Sequence, residues 1–282
     1  MKTSLCTISF RHQLVSFGDL VRLASRLQFD GIELWGTHAH QLYENERVTA
    51  WDHLQRLHAS GMGISMVSDY LDISPQADHK AVLDKCQRLI SLARWFGTPR
   101  IRTFAGQLGS LDVPAEERPL YAENLHRLCE LCQEQGVYLL LETHPGTLTD
   151  TVDSALDLLR MVNHPALKIN LDFLHVWEGG TDPLEGLKRL EPWVMHYHMK
   201  NIADRSRLGV FAPHNVYAPS GSRTGMVPLR EGVVDYRPIL EAIRETDHYA
   251  SLEWFGPDPA RVLAEEMQWL REELPVAMAG GV

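Results

Sequence analysis

The chain has 282 residues, of which 44% are hydrophobic and 23% charged, with a formal net charge of −10. That is enough apolar material for a sizeable core, and barrels of parallel strands routinely reach this length as one domain, here 1–282. An acidic balance without any run of Lys and Arg opposes binding to a phosphate backbone, so no nucleic-acid partner is expected.

The segment Met1 to Phe10 carries one Lys and is interrupted by Thr and Ser, so it does not read as a signal peptide. No apolar run is long enough to span a membrane. The four cysteines, Cys6, Cys86, Cys129 and Cys132, are too few for a disulfide framework and point to a reducing cytosol. Cys129 and Cys132 form a C-x-x-C, but Tyr121, Leu125 and Leu128 stand with them at helical spacing and no second pair exists. Core packing is the expected role rather than redox or zinc chemistry.

In chain order, short β-rich apolar runs fall near residues 3–9, 31–35, 63–67, 99–103, 137–142, 167–172, 194–198 and 249–253, most followed by an amphipathic stretch. Eight βα units result. Pro114 or Pro183 suits a first helical turn, and Thr151 can cap a helix whose apolar face is Val152, Ala155, Leu156 and Leu159. The uninterrupted run from Val137 to Leu141 fits a parallel strand covered on both faces. No glycine-rich phosphate-binding turn follows an early strand, so a closed (β/α)8 TIM barrel is expected rather than an open doubly wound sheet. The connection from Asn201 to Val234, between the seventh and eighth strands, is long, and its Phe211, Tyr217 and Arg223 suggest a lid.

Barrels of this type build their active sites at the C-terminal ends of the strands. There the fifth strand closes on Glu142, with His144 just beyond, the sixth on Asp172, the seventh on His198 and the eighth on Glu253. Three carboxylates and an imidazole converging in a dry place would repel one another unless a cation compensated them. Oxygen-rich ligation with one His and no thiolate suits Mn2+ or Mg2+, with open positions for two adjacent substrate oxygens. Singly, each of these residues has a blander reading as a cap or a satisfied core group; four in register favour the metal. Asn170, His196 and Ser251 face inward one layer below, as supporting or packing residues. Tyr70, Arg102, His144, His175 and Lys200 stand at the same rim, where each alone could be a solvated charge, a turn cap or a packing group.

The motifs ISFRH (8–12), ELWGTH (33–38), SDYLDIS (68–74), IRTFAG (101–106), LLETHP (140–145), KINLDFLHVWE (168–178), HYHMKN (196–201) and SLEWFG (251–256) run in fixed order along the chain, together with NVYAPSGSRTGMVPL (215–229). Taken together they resemble the sugar-phosphate isomerase/epimerase-like barrels, a xylose isomerase-like superfamily. More narrowly, they resemble the 3-dehydroshikimate dehydratases that supply 3,4-dihydroxybenzoate, or protocatechuate, for petrobactin-type siderophores. The resemblance implies a Mn2+ or Mg2+ site of Glu142, Asp172, His198 and Glu253, with His144 as base. It further implies a pocket of Tyr70, Arg102, His175, Lys200 and Tyr217 around the substrate ring.

The implied reaction is proton abstraction at C4 of the ketone by His144, giving a metal-stabilised enediolate, followed by loss of the C5 hydroxyl as water. His175 or the recycled proton on His144 serves as the acid; Arg102 and Lys200 offset negative charge. Phe104, Phe173, Phe211 and Phe255 are expected to line the pocket for a flat ring. Three other readings stand beside this one. A sugar isomerase or epimerase would use the same metal site and reprotonate instead of expelling hydroxide, an endonuclease would need a basic groove, and a binding protein would have no use for His144. The resemblance leaves the number of subunits open, with a homodimer as one option.

Overall fold

The computed structural model describes residues 1–274, so the end of the expected 1–282 domain lies outside the described residues. Its strands are β1 Lys2–Cys6, β2 Gly31–Trp35, β3 Gly63–Ser68, β4 Arg100–Thr103, β5 Tyr138–Glu142, β6 Leu167–Asp172, β7 Val194–Met199, β8 Asn201–Ile202, β9 Met226–Val227 and β10 Tyr249–Leu252. All except β8 and β9 join in a closed parallel barrel, in which β1 pairs with both β2 and β10. Helices between the strands cover the outside.

The sequence explains these elements locally. Leu139, Leu140 and Leu141 of β5 are all fully buried, because a barrel strand is covered by helices on one face and by the filled interior on the other. Each such side chain taken from water contributes roughly 1.5–3 kcal/mol. Thr151 caps the helix Val152–Val162 by accepting from the Ser154 amide at 3.2 Å, and its buried face includes Val152, Ala155, Leu156 and Leu159. Pro183 opens the helix Pro183–Leu190, where its missing N–H costs nothing. Pro114 instead lies in a turn ahead of the helix Arg118–Glu134, which takes Pro119 into its first turn. All four cysteines are free and buried, and Cys129 and Cys132 belong to the core face of that helix.

The first strand is shorter than its apolar pattern suggests. It stops at Cys6, and Thr7–Phe10 turns into a 3-10 helix. Two hydroxyls explain why the ladder can end there: Thr7 Oγ1 accepts from the Trp35 amide at 2.9 Å, and Ser9 Oγ accepts from the Trp254 amide at 3.0 Å. Side chains thus satisfy donors that a longer strand would have served.

The long connection after β7 is ordered by its own contacts. β8 and β9 pair antiparallel, a 3-10 helix covers Arg205–Phe211, and a short helix covers Pro213–Val216. Asn201 staples the base of the loop, donating to the Leu229 and Val234 carbonyls at 2.7 and 2.8 Å. Arg223 donates to the backbone carbonyls of Asn215, Val216, Ala218 and Ser222. It faces the loop's own backbone and not the barrel mouth. Among the described residues no helix is long and apolar enough to cross a membrane.

Candidate active site

The four expected ligand residues meet. Glu142 closes β5 and Asp172 closes β6, while His198 sits near the end of β7 and Glu253 directly follows β10. One donor atom from each lies within 4.8 Å of the other three, and all four residues are buried. Asp172 also caps the next helix, its Oδ1 accepting from the His175 amide at 3.1 Å. His198 Nδ1 lies 3.2 Å from Glu142 Oε1 and 3.5 Å from Glu253 Oε1.

Two permanent cations stand among these carboxylates. Lys200 Nζ is 2.5 Å from Asp172 Oδ2, 2.7 Å from Glu253 Oε2 and 3.9 Å from Glu142 Oε1. Arg102 Nε lies 3.0 Å from Glu142 Oε2, close but not aligned for a hydrogen bond, since both atoms lack a hydrogen-bond partner. Burial opposes charge on Glu142, yet Arg102, His198 and Lys200 outweigh it and hold the carboxyl well below its usual range. Burial likewise opposes charge on Lys200, but Asp172, Glu253 and Glu142 keep its ammonium well above its ordinary range.

The donor chemistry fits a divalent cation. Four carboxylates are buried around this centre, those of Glu33, Glu142, Asp172 and Glu253, against the fixed positive charges of Arg102 and Lys200. The shortfall equals one divalent ion if His198 is neutral. With no such ion, the imidazole has to make up charge: burial disfavours its protonation, but Glu253, Glu33 and Glu142 together lift its pKa well above the usual value. Asp172 Oδ2 and Glu142 Oε2 make no aligned hydrogen bond and are compensated only by the nearby charges of Lys200 and Arg102.

The pocket above this cluster is lined by Tyr70, Arg102, Phe104, Glu142, His144 and His175, and on its other side by Lys200, Phe211, Tyr217, Glu253 and Phe255. Its cavity is about 30 Å3. Tyr217 stands at its edge, its hydroxyl donating to the Tyr70 hydroxyl and its ring stacking on Trp35 at 6.0 Å. Lys200 Nζ is 5.6 Å from the centre of the Phe211 ring and 5.8 Å from that of Phe255. Arg102 lies over Tyr70 and Phe104 in the same manner, at 5.2 and 5.0 Å. Phe173 is a correction: it is fully buried against Tyr197, 5.5 Å between ring centres, in the shell outside the strand and away from the pocket. With Asp172 facing the centre, alternation along the strand turns the next residue outward, beside Tyr197, which lies between the inward His196 and His198.

The two histidines are arranged alike. His144 Nδ1 donates to the Pro145 carbonyl at 2.7 Å, which leaves Nε2 with its lone pair. Burial, and then the neighbouring His175, push its pKa down to about 3, so it is a neutral imidazole near pH 7. His175 Nδ1 is 2.8 Å from Glu178 Oε2, and its buried Nε2 has no partner. Their rings are 4.6 Å apart.

Sequence reasoning gave no role to Glu33 and Glu178. Glu178 ends the motif at 168–178, three residues after His175, a helical spacing that could have paired them. Glu33 is a carboxylate inside the apolar run of β2, and its signal was a charge where alternation predicts a buried residue.

The sequence pattern of the xylose isomerase-like TIM barrel matches residues 21–273, and the chain belongs to that family. It is 54% identical over 270 residues to the 3-dehydroshikimate dehydratase of Bacillus anthracis, covering 96% of each chain. The crystal structure of the probable 3-DHS dehydratase AsbF of petrobactin synthesis, also from Bacillus anthracis, superposes with a TM-score of 0.95 at 54% identity, covering 96% of this chain and 98% of that one. IOLI protein, solved with a zinc atom, shares the fold at a TM-score of 0.73 and 17% identity, covering 97% of this chain and 96% of that one.

Proposed function

We propose that this chain dehydrates 3-dehydroshikimate to 3,4-dihydroxybenzoate, with a divalent cation held by Glu142, Asp172, His198 and Glu253. The observation that carries the reading is the coincidence of that four-residue group with two histidines of unpartnered Nε2 in one closed, aromatic-lined pocket. It occurs in a chain 54% identical, over almost its whole length, to a protein of that activity.

The cation would supply a Lewis acid beside the ring ketone and its neighbouring hydroxyl. Everything else is done by side chains. His144, neutral and with Nδ1 held by Pro145, presents Nε2 as the base for the C4 proton. His175, with Glu178 as a carboxylate partner to share positive charge, carries the proton that leaves with the C5 hydroxyl as water. Transfer of a C6 proton to the C3 oxygen then yields the aromatic product, and the proton taken by His144 replaces the one His175 gave up. Phe104, Phe211 and Phe255 suit the flat ring, while Arg102 and Lys200 offset charge on the substrate and on the ionised intermediate. Tyr70 and Tyr217 close the pocket against water, which makes 201–234 a lid.

Mn2+ and Mg2+ both suit three carboxylates and one imidazole. Four free thiols suit a reducing cytosol, and the acidic chain suits a small-molecule substrate rather than nucleic acid. The product is of the kind that catecholate siderophore assembly uses.

The test is direct. The protein is stripped of metal, given Mn2+ or Mg2+ with 3-dehydroshikimate, and followed by catechol absorbance. No metal-dependent signal ends the proposal. Aldoses and ketoses assayed in parallel test the isomerase alternative, which predicts isomerised sugar instead.

A further inference from the structure

Glu33 has no step in the reaction just described, yet it is fully buried and reaches into the barrel interior from β2. Both of its carboxylate oxygens face His198 Nε2, at 3.2 and 3.0 Å. The other ring nitrogen, Nδ1, is the one that faces Glu142 and Glu253. The imidazole is therefore held between a carboxylate on one side and the ligand group on the other.

The carboxylate is itself fixed. Ser68 Oγ donates to Glu33 Oε1, and His196 Nε2 lies 3.4 Å from Oε2. His196 is in turn held by Ser251 Oγ at 2.8 Å. The β2–β3 pairing shifts register between Ile32 and Glu33, so that Glu33 stands beside Met66 and Ser68 beside Trp35. The extra residue is Ser65 on β3, so the bulge re-aims β3 and brings Ser68 to the carboxylate, while Glu33 keeps regular register with β1, opposite Cys6.

An imidazole that gives its Nδ1 lone pair to a cation must keep its proton on Nε2, where that proton needs an acceptor. We propose that Glu33 is the positioning residue of the metal centre, accepting the Nε2 proton of His198 so that Nδ1 is the nitrogen offered to the ion. The same negative charge makes the ring a stronger donor. This inference rests on the reading of Glu142, Asp172, His198 and Glu253 as ligands. It differs from a competing arrangement in which Glu33, His196 and His198, whose donor atoms also lie close together, take a second ion themselves.

Mn2+ binding to the metal-free full-length protein separates these cases, with free Mn2+ read by electron paramagnetic resonance and folding followed by circular dichroism. Wild type is expected to bind one Mn2+ per chain. Glu33→Ala is expected to bind it about 10–100-fold more weakly with unchanged secondary structure, the usual loss when the partner of a ligating His is removed. Glu33→Gln keeps shape and an acceptor oxygen without the charge, and is expected to bind more weakly than wild type but better than Glu33→Ala. Glu33→Gln also serves if Glu33→Ala does not fold. Wild-type binding with Glu33→Gln equal to it within about twofold would overturn the positioning role alone. Two ions per chain, reduced to one in Glu33→Gln, would overturn it in favour of a second site. No binding to wild type would remove the ligand reading and this inference with it.

Discussion

The ammonium of Lys200 lies 2.5 Å from the Asp172 carboxylate and so occupies the middle of the ligand group. It serves as the resident counter-ion of carboxylates that would otherwise repel one another. Breaking a buried ion pair by removing one partner costs roughly 3–5 kcal/mol, and each kcal/mol moves the Tm of a protein this large by about 2–4 °C. Lys200→Met should therefore lower the Tm of the metal-free protein by on the order of 6 °C or more in differential scanning calorimetry. Saturating Mn2+ should recover most of the loss. An unchanged metal-free Tm would show that Lys200 does not balance the cluster.

His144 and His175 divide base and acid roles in the reading above. His144→Ala should lose about 10²–10⁴-fold in turnover, the usual worth of a positioned base, while binding Mn2+ normally. Glu178→Gln should weaken turnover less, since it only removes the charged partner of His175. Normal rates in well-folded His144→Ala, followed by catechol absorbance, would exclude His144 as the base.

Glu266 predicts a pH dependence of opposite sign to that of an ordinary carboxylate. It is buried beneath the long loop, where it accepts from the Leu229 amide at 2.8 Å. Burial raises its pKa from 4.5 to about 7. A raised folded-state pKa means that the contribution is fully present below pH 4.5 and is lost as pH climbs through 7. The full loss corresponds to about 3 kcal/mol at about 1.4 kcal/mol per unit. Glu266→Gln should thus stabilise the protein in urea unfolding at pH 8 and change little at pH 4. Equal effects at both values would contradict this.

Tyr217 meets Tyr70 through its hydroxyl and Trp35 through its ring, so the two contacts of the proposed gate can be separated. Tyr217→Phe keeps the stack and should raise KM a few-fold. Tyr217→Ala removes both contacts and should raise KM by about tenfold or more, because water then reaches a site whose charges work best when dry. Steady-state kinetics with 3-dehydroshikimate decides it, and equal KM values for the two variants would refute the gate.

Much of this site was legible because each strand that carries it is an apolar run ending in an ionisable residue. Glu142, Asp172, His198 and Glu253 could be placed at one end of the barrel by counting in twos along their strands. Glu33 escaped because a carboxylate within a strand looks the same whether it faces the bore or the solvent, and the partners that hold it, His198 and Ser68, are far away in sequence. Arg223 was grouped with the lid aromatics, but local sequence does not reveal that four backbone carbonyls of its own loop surround it. The length of β1 was overestimated for a related reason: the hydroxyls of Thr7 and Ser9 end the ladder through partners far away in sequence.

The inner cavity of about 30 Å3 has room for only a water or two, whereas the groove outside it, beside Trp35 and Tyr217, measures about 810 Å3. Tyr70, Phe104, His144 and Tyr217 line both spaces, so the outer groove leads to the base itself. On the lid reading proposed above, inhibitors shaped for this site should show slow onset and slow escape, governed by the frequency with which Tyr217 swings aside.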